Sequence, residues 1–278
     1  MSIKITQTEI TRQVELALAE DVGSGDITAQ LIPSSQRATA IVICREPGIL
    51  CGNDWFNEVF AQLDKSIEID CTLKDGDSFT AGQTIFTIKG LARPILTGER
   101  TALNFLQSLS GTATITQQYV QAVAGTQCAI LDTRKTIPGL RKAQKYAVHC
   151  GGGQNHRVGL YDAYLIKENH IAACGSITSA VQQAESMTAD VMLEVEVETL
   201  AQLQEAIAAG VHRVLLDNMD IETLREAVRI ADKQVELEAS GGVGLEQIRT
   251  IAETGVDYIS VGSLTKHLRA IDFSMRFK

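Results

Sequence analysis

At 278 residues the chain can bury a large core in one domain or two, and with 45% hydrophobic and 21% charged residues its composition is that of a globular protein. A formal net charge of −9 excludes general nucleic-acid binding, which needs a basic footprint. No apolar run is long enough to span a bilayer, and the opening MSIKITQTEITRQVELALAED places acids inside its apolar part, so neither a membrane segment nor a signal peptide is expected and the cytoplasm is the expected location.

In the first half, residues 1–22 carry Ile10, Val14, Ala17 and Leu18 on one helical face. RATAIVICREPGILCG (37–52) predicts strands around a turn at Pro47-Gly48. NDWFNEVFAQL (53–63) predicts a helix capped by Asn53 or Asp54. SIEIDCTLKDGDSFTAGQTIFTIKG (66–90) has hairpin punctuation at Asp75-Gly76 and Ala81-Gly82. Residues 98–125 read as helices. Together these segments predict an α+β unit with an antiparallel sheet.

The second half has a different rhythm. CAILDT (128–133), YLIK (164–167), VMLEVEVE (191–198), RVLLDN (213–218), VELEAS (235–240) and DYISVG (257–262) are short apolar runs, as expected of parallel strands covered on both faces. Helical patterns at 176–187, 199–210, 221–233 and 244–255 separate them, with Ser176 as a start signal and Gly210 as a stop. From residue 164 the strands recur roughly every 22 to 27 residues, the pace of βα units that close into a barrel or open into a doubly wound sheet. Six strands are legible, fewer than a full barrel. The tail AIDFSMRFK alternates strictly, with Ile271, Phe273, Met275 and Phe277 on one side, which predicts a half-buried strand returning to the N-terminal sheet.

Loops that follow barrel strands build active sites. Reading the strand ends in order gives Thr133, Arg134 and Lys135, then Lys167, Glu196, Asp217, Ser240-Gly241-Gly242 and Gly262-Ser263. Small residues after the last two strands let backbone N–H groups approach a phosphate. Carboxylates on neighbouring strands can hold Mg²⁺, and Arg and Lys grip anions through charge-assisted hydrogen bonds. The residues therefore predict a pocket for a phosphorylated sugar, a divalent metal and a second anionic molecule. Glu194, Glu196 and Glu198 alternate onto one face, an unusual row for a packed interior. Asp217 is equally readable as a helix cap. Arg141, Lys142 and Lys145 are equally readable as a solvated helix face. The triple glycine Gly151-Gly152-Gly153 reads as flexibility or as close approach to a ligand. His170, His212 and His267 read as solvent-facing or structural. The six cysteines show no metal-like spacing and read as reduced thiols.

The ordered motifs EDVGSGDIT (20–28), GERTALNFLQSLSG (98–111), TRKTIPGLR (133–141), GGGQNHRVGLYDAYLIKENH (151–170), EVEVE (194–198), LLDNM (215–219), EASGG (238–242) and ISVGSLT (259–265) resemble the quinolinate phosphoribosyltransferase family over nearly the whole chain. The resemblance implies an N-terminal α/β open sandwich of residues 1–112 with 270–278, and an irregular, incomplete α/β barrel of residues 113–269. It implies carboxylating transfer of phosphoribose from phosphoribosyl pyrophosphate to quinolinate, in NAD biosynthesis. Arg134, His156, Arg157 and Lys167 match residues around the quinolinate carboxylates, and Thr133 lies beside them. Arg100 matches an arginine donated by a neighbouring subunit. Lys135 matches a lysine on the sugar pyrophosphate. Glu196 and Asp217 match acids near the ribose and Mg²⁺. Ser240, Gly241, Gly242, Gly262 and Ser263 match a 5′-phosphate cradle. The implied catalytic set is Lys135, Lys167, Glu196 and Asp217, and the implied assembly is a homodimer or hexamer with shared active sites. Some members carry His directly after the LT of the last motif, where this chain has Lys266 followed by His267.

Overall fold

The computed structural model describes residues 3–188 and 191–278. The first half contains α1 (Gln7–Val22), β1 (Arg37–Cys44), β2 (Gly48–Ile49), α2 (Asn53–Leu63), β3 (Glu68–Cys71), β4 (Ser78–Phe79), β5 (Thr84–Leu91) and α3 (Ala92–Ala122). The second half contains β6 (Ala129–Leu131), α4 (Arg141–Cys150), β7 (Tyr164–Ile166), α5 (Glu168–Cys174), α6 (Ile177–Met187), β8 (Leu193–Val197), α7 (Leu200–Ala208) and β9 (Arg213–Asp217). It ends with α8 (Ile221–Ala231), β10 (Glu236–Ser240), α9 (Leu245–Ala252), β11 (Tyr258–Ser260), α10 (Ser263–Lys266) and β12 (Phe273–Phe277). The described residues form two compact units: 3–117, 137–152 and 265–278 in one, and 118–136, 153–188 and 191–264 in the other.

The N-terminal unit is built on a four-stranded sheet in the order β12-β1-β5-β3, with β12 antiparallel to β1 as the alternation of the tail predicts. Val42, Phe86 and Ile88 project from it into a core shared with Trp55, Phe56, Val59 and Phe60 of α2. Phe56 stacks on Phe86 at a centroid separation of 4.0 Å, so truncating Phe56 would cost about 3–5 kcal/mol. Helix α1 begins at Gln7 rather than within residues 3–6, because Thr6 and Glu9 form a capping box there; residues 1 and 2 of the expected helix lie outside the described residues. Asp26 accepts from Ala29 N at 2.9 Å and from Thr97 Oγ1 at 2.9 Å, which accounts structurally for part of the EDVGSGDIT motif.

Several local expectations are corrected by long-range contacts. Strands β1 and β2 do not pair with each other; β2 pairs with β4, and β3 pairs with β5. The turns at Gly76 and Gly82 exist, but they route the chain between two sheets. The cap of α2 is neither Asn53 nor Asp54. Asp75 instead accepts from Gly52 N at 3.0 Å and Asn53 N at 3.1 Å. The helices expected over 98–125 are one helix, α3. Residues 137–152 belong to this unit, and Ala143 and Ala147 of α4 sit in its core. Lys145 is fully buried and Lys142 pairs with Glu9, so α4 does not present a solvated cationic face. A Cβ on Gly151 would lie 2.3 Å from the Ala113 carbonyl, and Gly152 adopts φ +88°, so packing and a left-handed turn dictate the first two glycines of the triple.

The second unit holds six parallel strands in the order β6-β11-β10-β9-β8-β7. Gln154 makes a parallel bridge to Leu131 at the free edge of β6. Outward residues such as Val195, Val214, Leu216, Leu237 and Ile259 are buried beside helix residues such as Leu203, Leu224 and Ile248. Caps set the helix starts: Ser176 accepts from Ser179 N, Thr199 from Gln202 N and Asp220 from Thr223 N. His170 Nδ1 accepts from Lys167 N and His212 Nδ1 from Leu193 N, so both histidines serve the backbone.

Candidate active site

The inner faces of these strands carry Glu194 and Glu196 from β8, Arg213 and Asp217 from β9, Glu236, Glu238 and Ser240 from β10, and Tyr258 and Ser260 from β11. Period-two alternation puts these polar residues on one side, together with Leu215 of β9, and the remaining apolar residues of β8, β9 and β10 on the other. The three acids of EVEVE differ in depth. Glu194 is fully buried, Glu196 partly buried and Glu198 exposed. The row therefore climbs from the floor of the sheet to its rim.

At the rim, Lys167 pairs with Glu196. Asp217 is half-buried and accepts from Asn218 Nδ2 at 2.8 Å. It does not cap α8, whose cap is Asp220, so the cap reading of Asp217 fails. Gly241 adopts φ +109°, and a Cβ there would lie 2.1 Å from Asn218 Oδ1, so only glycine fits at this strand end. Gly242 also adopts a positive φ. A Cβ on Gly262 would lie 3.0 Å from Lys135 Cδ and 3.6 Å from Thr133 Oγ1. The lysine after β6 thus lies over the glycine after β11, beside Ser263, whose hydroxyl is 3.4 Å from Tyr119 Oη. Lys135 N donates to Thr133 Oγ1 at 3.0 Å.

Arg134 and Arg157 lie on different loops that Asp132 ties together by accepting from His156 N at 2.9 Å. The Arg157 guanidinium is held below its ordinary range, first by burial and then by the Arg134 charge, with Glu194 and Asp162 opposing. Its Nη1 donates to the Ala163 carbonyl at 3.2 Å. Two arginines kept near each other in a partly buried setting form a site that an anion relieves.

Beneath them sits a cluster not resolved by the sequence reading. Asp132 is fully buried, accepting from His156 N at 2.9 Å and from Asn155 Nδ2 at 2.6 Å. His156 Nδ1 accepts from Arg157 N at 2.7 Å. His156 Nε2 lies 2.9 Å from Glu194 Oε2 and 3.4 Å from Glu238 Oε2, aligned on neither. Both ring nitrogens thus face protein groups. Burial holds Glu194 up at about 7, and burial followed by the Glu194 charge holds Glu238 up at about 8. Arg213 binds Glu236 at 2.8 Å, approaches Glu238 at 3.6 Å and stacks 3.9 Å over the Tyr258 ring. The only local signal for Glu238 was its place two residues before Ser240 on the same face.

Arg100 belongs to the other unit, exposed on α3. Every other residue expected at the site lies in the barrel unit.

Comparison with known proteins agrees with this arrangement. The family model for the quinolinate phosphoribosyl transferase C-terminal domain matches residues 112–276, and that for the N-terminal domain matches residues 26–110. The probable nicotinate-nucleotide pyrophosphorylase [carboxylating] of Bacillus subtilis is 44% identical over 257 residues, covering 92% of this chain and 89% of that protein. The Mycobacterium leprae nicotinate-nucleotide pyrophosphorylase [carboxylating] is 42% identical over 272 residues, covering 94% and 95%. The solved structure of the nicotinate-nucleotide pyrophosphorylase from Francisella tularensis superposes with a TM-score of 0.98 at 51% identity, covering 100% of this chain and 99% of that one. With both domain models placed in order and these relatives matched almost end to end, the chain belongs to the quinolinate phosphoribosyl transferase family.

Proposed function

We propose that the chain transfers phosphoribose from phosphoribosyl pyrophosphate to quinolinate, giving nicotinate mononucleotide, pyrophosphate and CO2, in de novo NAD biosynthesis. The observation that carries this reading is the Asp132 tie to His156 N at 2.9 Å, which joins the loop carrying Arg134 to the one carrying Arg157, with Lys167 at the end of β7. A dicarboxylate needs more than one cation, and each hydrogen bond to a partly buried charged group contributes about 1.5–3 kcal/mol. Thr133 and His156 complete the lining. The part of His156 is played through its backbone and the turn it anchors, because its ring faces inward.

Lys135, lying over Gly262, is placed to receive the phosphate and pyrophosphate of the sugar. Ser240, Gly241, Gly242 and Ser263 offer the backbone N–H groups and hydroxyls of the 5′-phosphate cradle. Glu196 and Asp217 present hard oxygen donors from adjacent strands, a donor set suited to Mg²⁺ held jointly with phosphate oxygens and water. When bound, Mg²⁺ supplies charge neutralisation to the departing pyrophosphate. The carboxylates of Glu196 and Asp217 also favour the positive charge that develops at the ribose C1.

The chemistry then needs no strong base. The pyridine nitrogen lone pair forms the bond to C1 as the bond to pyrophosphate breaks. The nitrogen becomes cationic, and the electron pair of the breaking C2–carboxylate bond is left on the ring carbon beside it. A proton replaces the departed CO2 at that carbon. Arg134, Arg157 and Lys167 orient the ring for attack. A second copy of this chain lends Arg100, so the working unit is a homodimer or an assembly of dimers.

All six cysteines are free thiols, which fits a reducing compartment, and we place the enzyme in the cytoplasm. Among the described residues no helix is long and apolar enough to cross a membrane. The test is an assay with Mg²⁺, phosphoribosyl pyrophosphate and either quinolinate or nicotinate. Mononucleotide and CO2 from quinolinate alone are expected. Product from nicotinate, or from neither, overturns the substrate assignment.

A further inference from the structure

We infer that Glu194 and Glu238, buried below the substrate pocket, are positioning residues that hold the His156 ring and through it fix the turn that aims Arg157 at the substrate's carboxylate. This rests on the quinolinate reading of the site above it.

The geometry is specific. Glu194 lies on β8 and Glu238 on β10, with β9 between them, yet both reach one imidazole nitrogen, at 2.9 and 3.4 Å. Both acids are fully buried and lie against each other, and Ser260 and the Arg213 guanidinium, 3.6 Å away, also face Glu238, yet no donor is well aligned on their carboxyl oxygens among the described residues. Poorly satisfied buried acids are costly, and Arg213 pairs with Glu236 at 2.8 Å while reaching Glu238 only at 3.6 Å. A hydrophobic floor would pack more cheaply. His156 is the basic side chain that pairs with both acids.

The ring's state follows from its contacts. Nδ1 accepts the Arg157 backbone N–H, so it carries no proton, and the single ring proton of the neutral form sits on Nε2, facing the two acids. The His156–Arg157 peptide is thereby gripped at both ends: its preceding N–H by Asp132 and its following N–H by the ring. The Arg157 side chain then has one stalk direction, completed by the Ala163 carbonyl. Outer contacts of this kind orient the groups that touch substrate without touching it themselves.

Near-isosteric substitutions separate positioning from packing. Glu194→Gln and Glu238→Gln retain an acceptor for the ring, whereas Glu194→Met and Glu238→Met fill the space without one. In the full-length enzyme the Met variants should raise the quinolinate KM about tenfold or more, with the phosphoribosyl pyrophosphate KM unchanged and the Gln variants within about threefold of wild type. Independently of turnover, ¹⁵N-histidine spectra should report a fixed Nε2–H ring for His156 in wild type and the Gln variants, and an averaged ring in the Met variants. Gln and Met variants that behave alike in both readouts overturn the inference. So does a metal ion bound in molar proportion by His156, Glu194 and Glu238. A wild-type enzyme inert toward quinolinate but with the fixed ring lost only in the Met variants would defeat the substrate reading and leave the ring-holding role standing.

Discussion

Asp132 and His156 are joined through the backbone: the Asp132 carboxylate, at the end of β6, accepts the His156 N–H at 2.9 Å and the Asn155 side-chain amide at 2.6 Å. The acid that opens the DTRK segment therefore faces away from substrate chemistry and ties one cationic loop to the other. Asp132→Ala should loosen that tie and lower kcat/KM for quinolinate by about 10²-fold, because small misplacements at a reacting site are that costly. Steady-state kinetics, with circular dichroism as the control for folding, checks it.

Removing a cation that grips substrate should be at least as damaging. Arg134→Ala and Lys167→Ala should each reduce quinolinate turnover by about 10²-fold or more. Near-wild-type rates in either variant would remove that residue from the carboxylate site. Lys167→Ala also leaves Glu196 without its partner, so its effect on phosphoribosyl pyrophosphate use should be measured in the same experiment.

Gly241→Ala should be damaging for a reason unrelated to charge. The new methyl would lie 2.1 Å from Asn218 Oδ1, on a backbone with φ +109°. A loss of about 1–3 kcal/mol of stability is expected from the strained backbone, together with a raised KM for phosphoribosyl pyrophosphate. Thermal melting and kinetics would read the two effects separately. Adding Asn218→Ala should relieve the clash but not the backbone strain.

The raised pKa of Glu238 makes a signed prediction about pH. Its folded-state value, about 8, lies above the ordinary carboxylate value of 4.5, so between these pH values the folded protein keeps a proton that the unfolded chain has released. Its contribution to stability therefore falls as pH rises across that window. Glu238→Gln removes this dependence. The denaturation midpoint of the variant, relative to wild type, should improve from pH 5.5 to pH 8.5. A variant-minus-wild-type difference that stays constant or falls between these pH values would contradict the assignment.

Thiol reactivity should follow burial. Cys44, Cys51 and Cys128 are buried, and burial raises each thiol, that of Cys128 to about 12. Cys174 is partly exposed on α5. Timed alkylation read by mass spectrometry should modify Cys174 well before these three, which should react only on unfolding.

Much of this site was legible because barrel strands announce their ends. Apolar runs followed by Arg134-Lys135, Lys167, Glu196, Asp217 and Ser240-Gly241-Gly242 placed the rim in order, and alternation placed Glu194, Glu196 and Glu198 on one face. The depth of each acid was not legible, because period two gives a face and not a height. Nor could a local pattern show that Asp75 caps a helix starting at Asn53, or that Gly151 packs against Ala113 of α3. Those partners are distant in sequence, and each supplanted a local signal: Asn53 as a cap, and the glycines as flexibility. His156 stood out beside Arg157 after the glycines, but its ring direction depends on acids 38 and 82 positions further along the chain.

The pairing of β12 with β1 has a consequence for synthesis. The ladder on that edge of β1 spans Ala40–Cys44 and needs Phe273–Phe277 as its partner. Until those residues leave the ribosome, β1 presents an open row of backbone N–H and C=O groups, the kind of edge that recruits foreign strands. The strands from β6 to β11, by contrast, are all available before β12 has been made. The segment translated first is thus completed last, and nascent chains stalled before residue 273 are the species that should depend most on chaperones.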